Sequence, residues 1–303
     1  MKTQNIFSNK LGVAVLAITC GLLWGSAFPA VKTGFAMLGI AKAVMWYKLI
    51  FAGYRFFFAG MLILLFAFAS GQNIKIKKQD FKHLVFMALF STTFQYIFFY
   101  IGLSQTSGIN ASILNSVLTF FSLLLAHFFL KDDRINLKKF IGLVLGFAGV
   151  LSVNFSLQLL TVKFNLFGDG FVILSHLMGA IGFIYLKRVV GSLSIISFTG
   201  YQIILGATFL ILPSALNVGL LPFHFDVASG LLMLYLSMLT AIAFSLWNTL
   251  IKYNPVGKIS IYLFLIPLFG VILSAIFLQG EMISGLTILA LALVSTGIII
   301  VTN

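Results

Sequence analysis

Asp169, His176 and Lys187 lie seven and eleven residues apart in a stretch that is otherwise apolar. At about 100° per residue they fall within roughly 20° of one another on one helix face, an acid, an imidazole and an amine along a single line. An imidazole midway along such a line titrates near neutral pH, which suits proton binding or the orientation of a solute carboxylate. The competing reading is a neutral histidine satisfied by a neighbouring helix, with Lys187 extending its stem to a polar interface. Gln95 and Phe99, four apart, share a second helix face beside Tyr100. A shift of 148 residues brings Ala243, Trp247 and Asn248 to the equivalent positions. With Trp24 these residues offer aromatic walls and a few convergent polar groups, the make-up of a small-solute pocket. Ring packing and lipid contact are the plainer uses of the same side chains. Ser112, Asn115, Thr119 and Ser122 follow helical spacing as a third polar stripe. For that stripe, cavity lining and hydrogen bonding between membrane helices, about 0.6 kcal/mol per group, stand level. The candidate cavity is therefore Trp24, Gln95, Tyr100, Asn115, Thr119, His176, Trp247 and Asn248, with His176 as the candidate for proton coupling.

The elements that carry these groups are read from hydropathy. With 61% hydrophobic and 8% charged residues in 303, the chain has the composition of a membrane protein. Apolar runs long enough to cross the hydrocarbon core as helices fall near 11–33, 49–70, 82–104, 108–130, 137–157, 166–188, 195–217, 227–250, 256–279 and 283–302. The net charge of +13 is distributed by side rather than clustered. With the N-terminus in the cytoplasm, fourteen of the 19 Lys and Arg fall on the cytoplasmic side, among them Lys75, Lys77, Lys78, Lys131, Arg134 and Lys139. This is the positive-inside pattern and not a nucleic-acid groove, and it puts both termini in the cytoplasm. The first segment, preceded by two lysines and lacking a small-residue cleavage site, is expected to be an anchor helix. Cys20 is the single cysteine, so neither an internal disulfide nor a cysteine metal cluster is available.

Ser112–Asn154, moved along by 148, falls on Ser260–Thr302. Thr119 then meets Pro267, Phe121 meets Phe269, Asp133 meets Glu281 and Gly149 meets Gly297. A repeat of five spans is odd, so its copies must lie upside down relative to each other. Inverted repeats of this kind build secondary transporters, with the substrate site at the repeat interface. The expected fold is an all-α membrane protein of ten transmembrane helices in two inverted five-helix repeats, residues 1–157 and 158–303. Pro29 and Pro267 lie inside spans one and nine, where each removes a backbone donor and kinks its helix. Both are candidates for gating bends. Gly142 and Gly146 allow close helix approach, for packing within the chain or in a homodimer. Lys48 and Arg55, seven apart near the outer end of span two, are expected to pair with Asp169 or Asp226, or else to attract anionic solutes. Asp132 and Asp133, flanked by Lys131 and Arg134, read as a solvated, self-neutralised turn.

Catalytic signatures do not appear. There is no metalloprotease histidine pair, nucleophile elbow or phosphate-binding glycine loop, and six acidic residues leave no cluster for a metal. No enzyme activity, cofactor or metal is expected.

Trp24-Gly25-Ser26-Ala27-Phe28-Pro29, Tyr54-Arg55-Phe56, and Tyr100-Ile101-Gly102-Leu103 leading to Asn110-Ala111-Ser112 resemble the drug/metabolite transporter superfamily, EamA-type branch. The strongest likeness is Asn254-Pro255-Val256-Gly257-Lys258-Ile259-Ser260, then Leu265-Ile266-Pro267-Leu268-Phe269 and Phe277-Leu278-Gln279-Gly280-Glu281. The chain departs from the pattern at Thr119, where a proline is usual, so its first half is expected to bend less than its second. The resemblance implies a central cavity, alternating access by rocking of the two halves, and a small-molecule solute as partner in a cytoplasmic membrane. Export of amino acids or related metabolites follows from the resemblance alone. Two other functions fit the residues. Trp24, Tyr100 and Trp247 would form a cation box for import of a quaternary ammonium solute such as choline. A membrane interaction protein without transport would have a sealed, dry centre.

Overall fold

The computed structural model describes residues 6–40, 44–103, 105, 114–153, 164–192, 194–277 and 285–302. Among them are ten helices and no strand. These are α1 (Lys10–Met37), α2 (Met45–Ala69), α3 (Lys78–Leu103), α4 (Val117–Phe129), α5 (Leu137–Val153), α6 (Leu166–Val189), α7 (Ile195–Val218), α8 (Val227–Tyr253), α9 (Val256–Phe277) and α10 (Gly285–Thr302). Seven of the ten, α1 to α3 and α6 to α9, are by themselves long and apolar enough to cross a membrane, while α4, α5 and α10 are shorter. A helix thus stands in each of the ten expected spans. Asn110–Ser112 and Leu278–Glu281 of the quoted motifs lie outside the described residues.

Helix starts follow from their capping chemistry. Gly12 N donates to Asn9 Oδ1 at 2.6 Å, and Ser229 N donates to Asp226 Oδ1 at 2.8 Å in a capping box that opens α8. The Ser229 hydrogen bonds hold the Asp226 carboxyl below the usual carboxylate range. Phe167 N and Gly168 N donate to Asn165 Oδ1 at the head of α6.

The packing is two-fold symmetric in pattern. α1 packs on α8 and α9, and α6 packs on α3 and α4; α2 meets α8, and α7 meets α3; α2 pairs with α7, and α5 with α10. Exchanging each helix for the one five places along leaves this set unchanged. That is the signature of two related five-helix halves, and five spans per half inverts one relative to the other. Small residues make the closest approaches. A Cβ at Gly25 of α1 would lie 3.0 Å from Gly270 N of α9, and one at Gly142 of α5 would lie 3.0 Å from Gly297 O of α10. The glycine face of α5 is therefore used inside the chain.

Three spans carry interruptions. Leu89–Phe94 in α3 and Leu166–Gly170 in α6 are π turns, a form found mostly as single-turn bulges and often at functional sites. Within α9, Ile261–Phe264 tightens to a 3₁₀ turn just before Pro267. Pro267 cannot donate to the carbonyl four residues back, which releases that turn. The same register in the first half is also interrupted. There Thr119 N donates to Ser116 O at 3.0 Å, so proline is not required for a break at that position.

Candidate functional site

Trp24, Arg55, His176 and Thr240 each lie within two residues of the midpoint of their helices, α1, α2, α6 and α8. They mark one layer at mid-depth. Arg55 is 5% exposed. Its Nε donates to Thr240 Oγ1 at 2.8 Å, and its guanidinium carbon stands 5.4 Å from the Phe56 ring centroid. Among the described residues it forms no ion pair. A charge in that position costs about 2.5–3.5 kcal/mol on insertion scales, so it calls for a purpose.

Aromatic rings extend this layer. Phe56 meets Tyr96 at 4.3 Å and Phe244 at 6.3 Å; Phe244 meets Trp24 at 5.8 Å; Trp24 meets Trp247 at 5.5 Å; and Trp247 meets Phe183 at 5.9 Å. Tyr96 also meets Tyr100, and Phe99 bridges Tyr100 to His176. Thus Trp24, Tyr100, Trp247 and His176 of the expected cavity belong to one continuous aromatic network drawn from α1, α2, α3, α6 and α8.

Among the described residues several buried polar groups, some of them within the network, lack hydrogen-bond partners. Both ring nitrogens of His176 are buried with no hydrogen-bond partner, as are Trp247 Nε1, Asn115 Nδ2 and Thr119 Oγ1. Ser260 Oγ and Gln202 Oε1 share this condition. Gln95 packs against Gly179, one turn beyond His176 on α6. Asn248, by contrast, is engaged: its Nδ2 donates to Thr199 Oγ1 at 3.0 Å and ties α8 to α7. Ser122 bonds back to Leu118 O within α4, and Ser112 lies outside the described residues.

The line from Asp169 to Lys187 divides by role. Asp169 Oδ2 accepts from Asn165 N at 2.8 Å, within the first turn of α6. Lys187 Nζ donates to Ile251 O at 2.9 Å and Lys252 O at 3.1 Å, satisfying carbonyls at the end of α8. Only His176 of the three stands in the central layer. Arg55 pairs with neither Asp169 nor Asp226, against expectation, because the helix begins at Met45 and carries it to mid-depth, away from both end-cap acids. Asp133 also differs from the solvated turn expected of it. It is 3% exposed, accepts from Gly257 N at 2.7 Å and from Lys139 Nζ at 2.5 Å, and so fastens the α4–α5 turn to the start of α9.

The two ends of the layer differ. Phe223, in the connection before α8, packs against Tyr47, Phe51 and Tyr54 and closes one end. At the other, a depression of about 450 Å³ is lined by Leu130, Lys131, Asp132, Lys187, Arg188 and Asn254. Pro29 sits buried within α1, which stays helical through it.

The EamA-like transporter family matches the chain twice, over residues 11–155 and 166–303. The chain belongs to the EamA-like transporter family. An "uncharacterized transporter" of Archaeoglobus fulgidus is 30% identical over 267 residues, covering 85% of this chain and 86% of that protein. The "uncharacterized transporter YvbV" of Bacillus subtilis is 26% identical, covering 97% and 92%. A solved crystal structure superposes with a TM-score of 0.77 at 17% identity, covering 95% of this chain and 96% of the other, which speaks to the fold. This EamA-family chain is accordingly a multi-pass membrane protein of the ten-helix, two-repeat type, and its family is one of transporters. Tyr96, Phe244 and Thr240 were not singled out by sequence. The available signal was Arg55, which needs company at its depth, and the four-residue spacing of Tyr96 from Tyr100.

Proposed function

We propose that this chain is a secondary transporter that exports small metabolites, amino acids or related compounds, across the cytoplasmic membrane by alternating access. The observation that carries the reading is the set of unpartnered polar groups at His176 on α6, Trp247 on α8, Thr119 on α4 and Asn115 just before α4. In hydrocarbon such groups cost several kcal/mol each, of order 2–7 by transfer scales, unless a solute or water meets them. A sealed interaction protein has no use for them. A small-solute path does, and it lies between the two halves, as inverted-repeat transporters place it. In this reading residues 1–157 and 158–303 are the rocking units, Pro29 and Pro267 are the gating bends, and His176 takes up the coupled proton. Trp24, Gln95, Tyr100, Asn115, Thr119, Trp247 and Asn248 line or border the path, and both termini lie in the cytoplasm. The chain carries solute without catalysing a reaction. Import of a quaternary ammonium ion is disfavoured by the Arg55 charge beside Phe56, in the ring network that also holds Tyr96 and Trp24. A homodimer would need a surface other than the α5 glycines, which α9 and α10 cover.

The test is untargeted mass spectrometry of the medium from cells expressing the chain against vector-only cells. Accumulation of an amino acid or related metabolite outside is the expected result. Selective depletion would mean import, and choline-like cations would be checked first. No change in any metabolite would count against the export reading.

A further inference from the structure

We propose that Arg55 anchors a carboxylate of the transported solute at the centre of the path. This rests on the transporter reading and adds the chemical group by which the solute is held.

The argument starts from charge. Arginine is always protonated in proteins, with five N–H donors set in a planar fork. One donor of Arg55, Nε, is given to Thr240 Oγ1, and among the described residues the terminal nitrogens donate to no protein group. The side chain is 5% exposed, so bulk water does not solvate it freely. Neither do the acids among the described residues come near. Asp80 opens α3, Asp133 binds Lys139 and Gly257, Asp169 binds the Asn165 backbone, and Asp226 caps α8. Each of these stands at a helix end, and Asp132 lines the end depression.

The surroundings then select the ligand. Phe56 and Phe244 supply apolar walls, and Tyr96 and Tyr100 continue them from Phe56. A carboxylate accepts two parallel hydrogen bonds from the free edge of the fork, a strong geometry for a group that has left water. An apolar body on the same molecule packs on the rings. A cation meets an uncompensated like charge and is rejected. The position suits movement as well as binding. Arg55 is on α2 of the first half, and its hydrogen-bond partner among the described residues, Thr240, is on α8 of the second. A carboxylate held there is held at the seam across which the halves must rock.

The experiment measures thermal unfolding of the purified full chain in detergent with four probes, leucine, isocaproate, isoamylamine and choline. Leucine and isocaproate carry the carboxylate, and isoamylamine is the same apolar body with only the amine. The expected result is stabilisation by leucine and isocaproate and none by isoamylamine or choline. Arg55→Gln should weaken carboxylate binding at least about ten-fold. Its melting temperature without ligand should match or exceed that of the unaltered chain, because an unpaired buried charge is gone. Arg55→Lys, with the charge but no fork, should keep a weak response. Equal stabilisation by isoamylamine, no response to either carboxylate, or full retention of binding in Arg55→Gln would each overturn the proposal. So would a lower melting temperature for unliganded Arg55→Gln, which would assign Arg55 to structure. Leucine movement in proteoliposomes separates the two levels. Binding without movement sinks the transporter reading and leaves the Arg55 site. Movement without carboxylate preference does the reverse.

Discussion

A buried imidazole with both nitrogens unpartnered is costly whichever way it is protonated, and His176 is 4% exposed at mid-depth. Its contact is the edge of Phe99, with Gln95 packed on Gly179 one turn away. A proton arriving at His176 would add a positive charge to the central layer. His176→Gln, which keeps hydrogen bonding without titration, is therefore expected to flatten the pH dependence of transport. Proteoliposome flux at stepped pH measures it, and an unchanged profile would remove His176 from coupling. The residue scale also shows what spacing can and cannot tell. Placing Asp169, His176 and Lys187 on one face was sound helix geometry, yet partners lie off the helix. Asp169 is consumed by the Asn165 backbone and Lys187 by the α8 carbonyls, and no period in α6 announces either.

Elements set the positions of these residues, and their irregularities escaped the sequence for a physical reason. A hydropathy window sees length and polarity, so Lys48 delays the apparent start of α2, and Arg55 reads as a near-end residue when it is central. Lysine at a helix end extends to the interface at little cost, so the helix continues through it. The π turn at Leu89–Phe94 was equally silent, since it depends on Thr93 Oγ1 reaching Ala88 O and Gly206 O. Proline was legible, and it marks the 3₁₀ turn of α9. Pro267→Ala restores a donor to that turn and should stiffen it. Transport at saturating solute is expected to slow several-fold with half-saturation changed by less than about two-fold, the pattern of an altered conformational step. An unchanged maximal rate in a flux assay would release Pro267 from gating. The α5–α10 pair makes a stability prediction. A Cβ at Gly149 would come within 2.8 Å of Val294 Cγ2 and 3.0 Å of Ala290 O. Gly149→Leu should destabilise by about 1–3 kcal/mol through overpacking, seen as a lower melting temperature in detergent.

For the molecule as a whole, repeat and charge asymmetry together specify a topology that a cysteine scan can test. The inverted repeat was legible in the sequence because odd-numbered halves leave one geometric option, and the exchange symmetry of helix packing agrees with it. Sidedness rests on separate physics. Lys75, Lys77 and Lys78 follow α2, Lys131 and Arg134 follow α4, and Lys187 and Arg188 end α6, whereas 219–226 before α8 carries no Lys or Arg. Lysine and arginine are retained on the cytoplasmic side, so the α2–α3 connection should face inward and the α7–α8 connection outward. Cys20 is the one native thiol, buried with its Sγ 3.6 Å from Ala243 O, and Cys20→Ser supplies a cysteine-free background. In that background Leu221→Cys, at an exposed site, should react with a membrane-impermeant maleimide on intact cells. Gln72→Cys should react only after lysis. The opposite pattern would invert the molecule. It would place the depression at Lys131, Lys187 and Asn254 on the outer face, and the solute would then meet the layer of Arg55 and His176 from the other side.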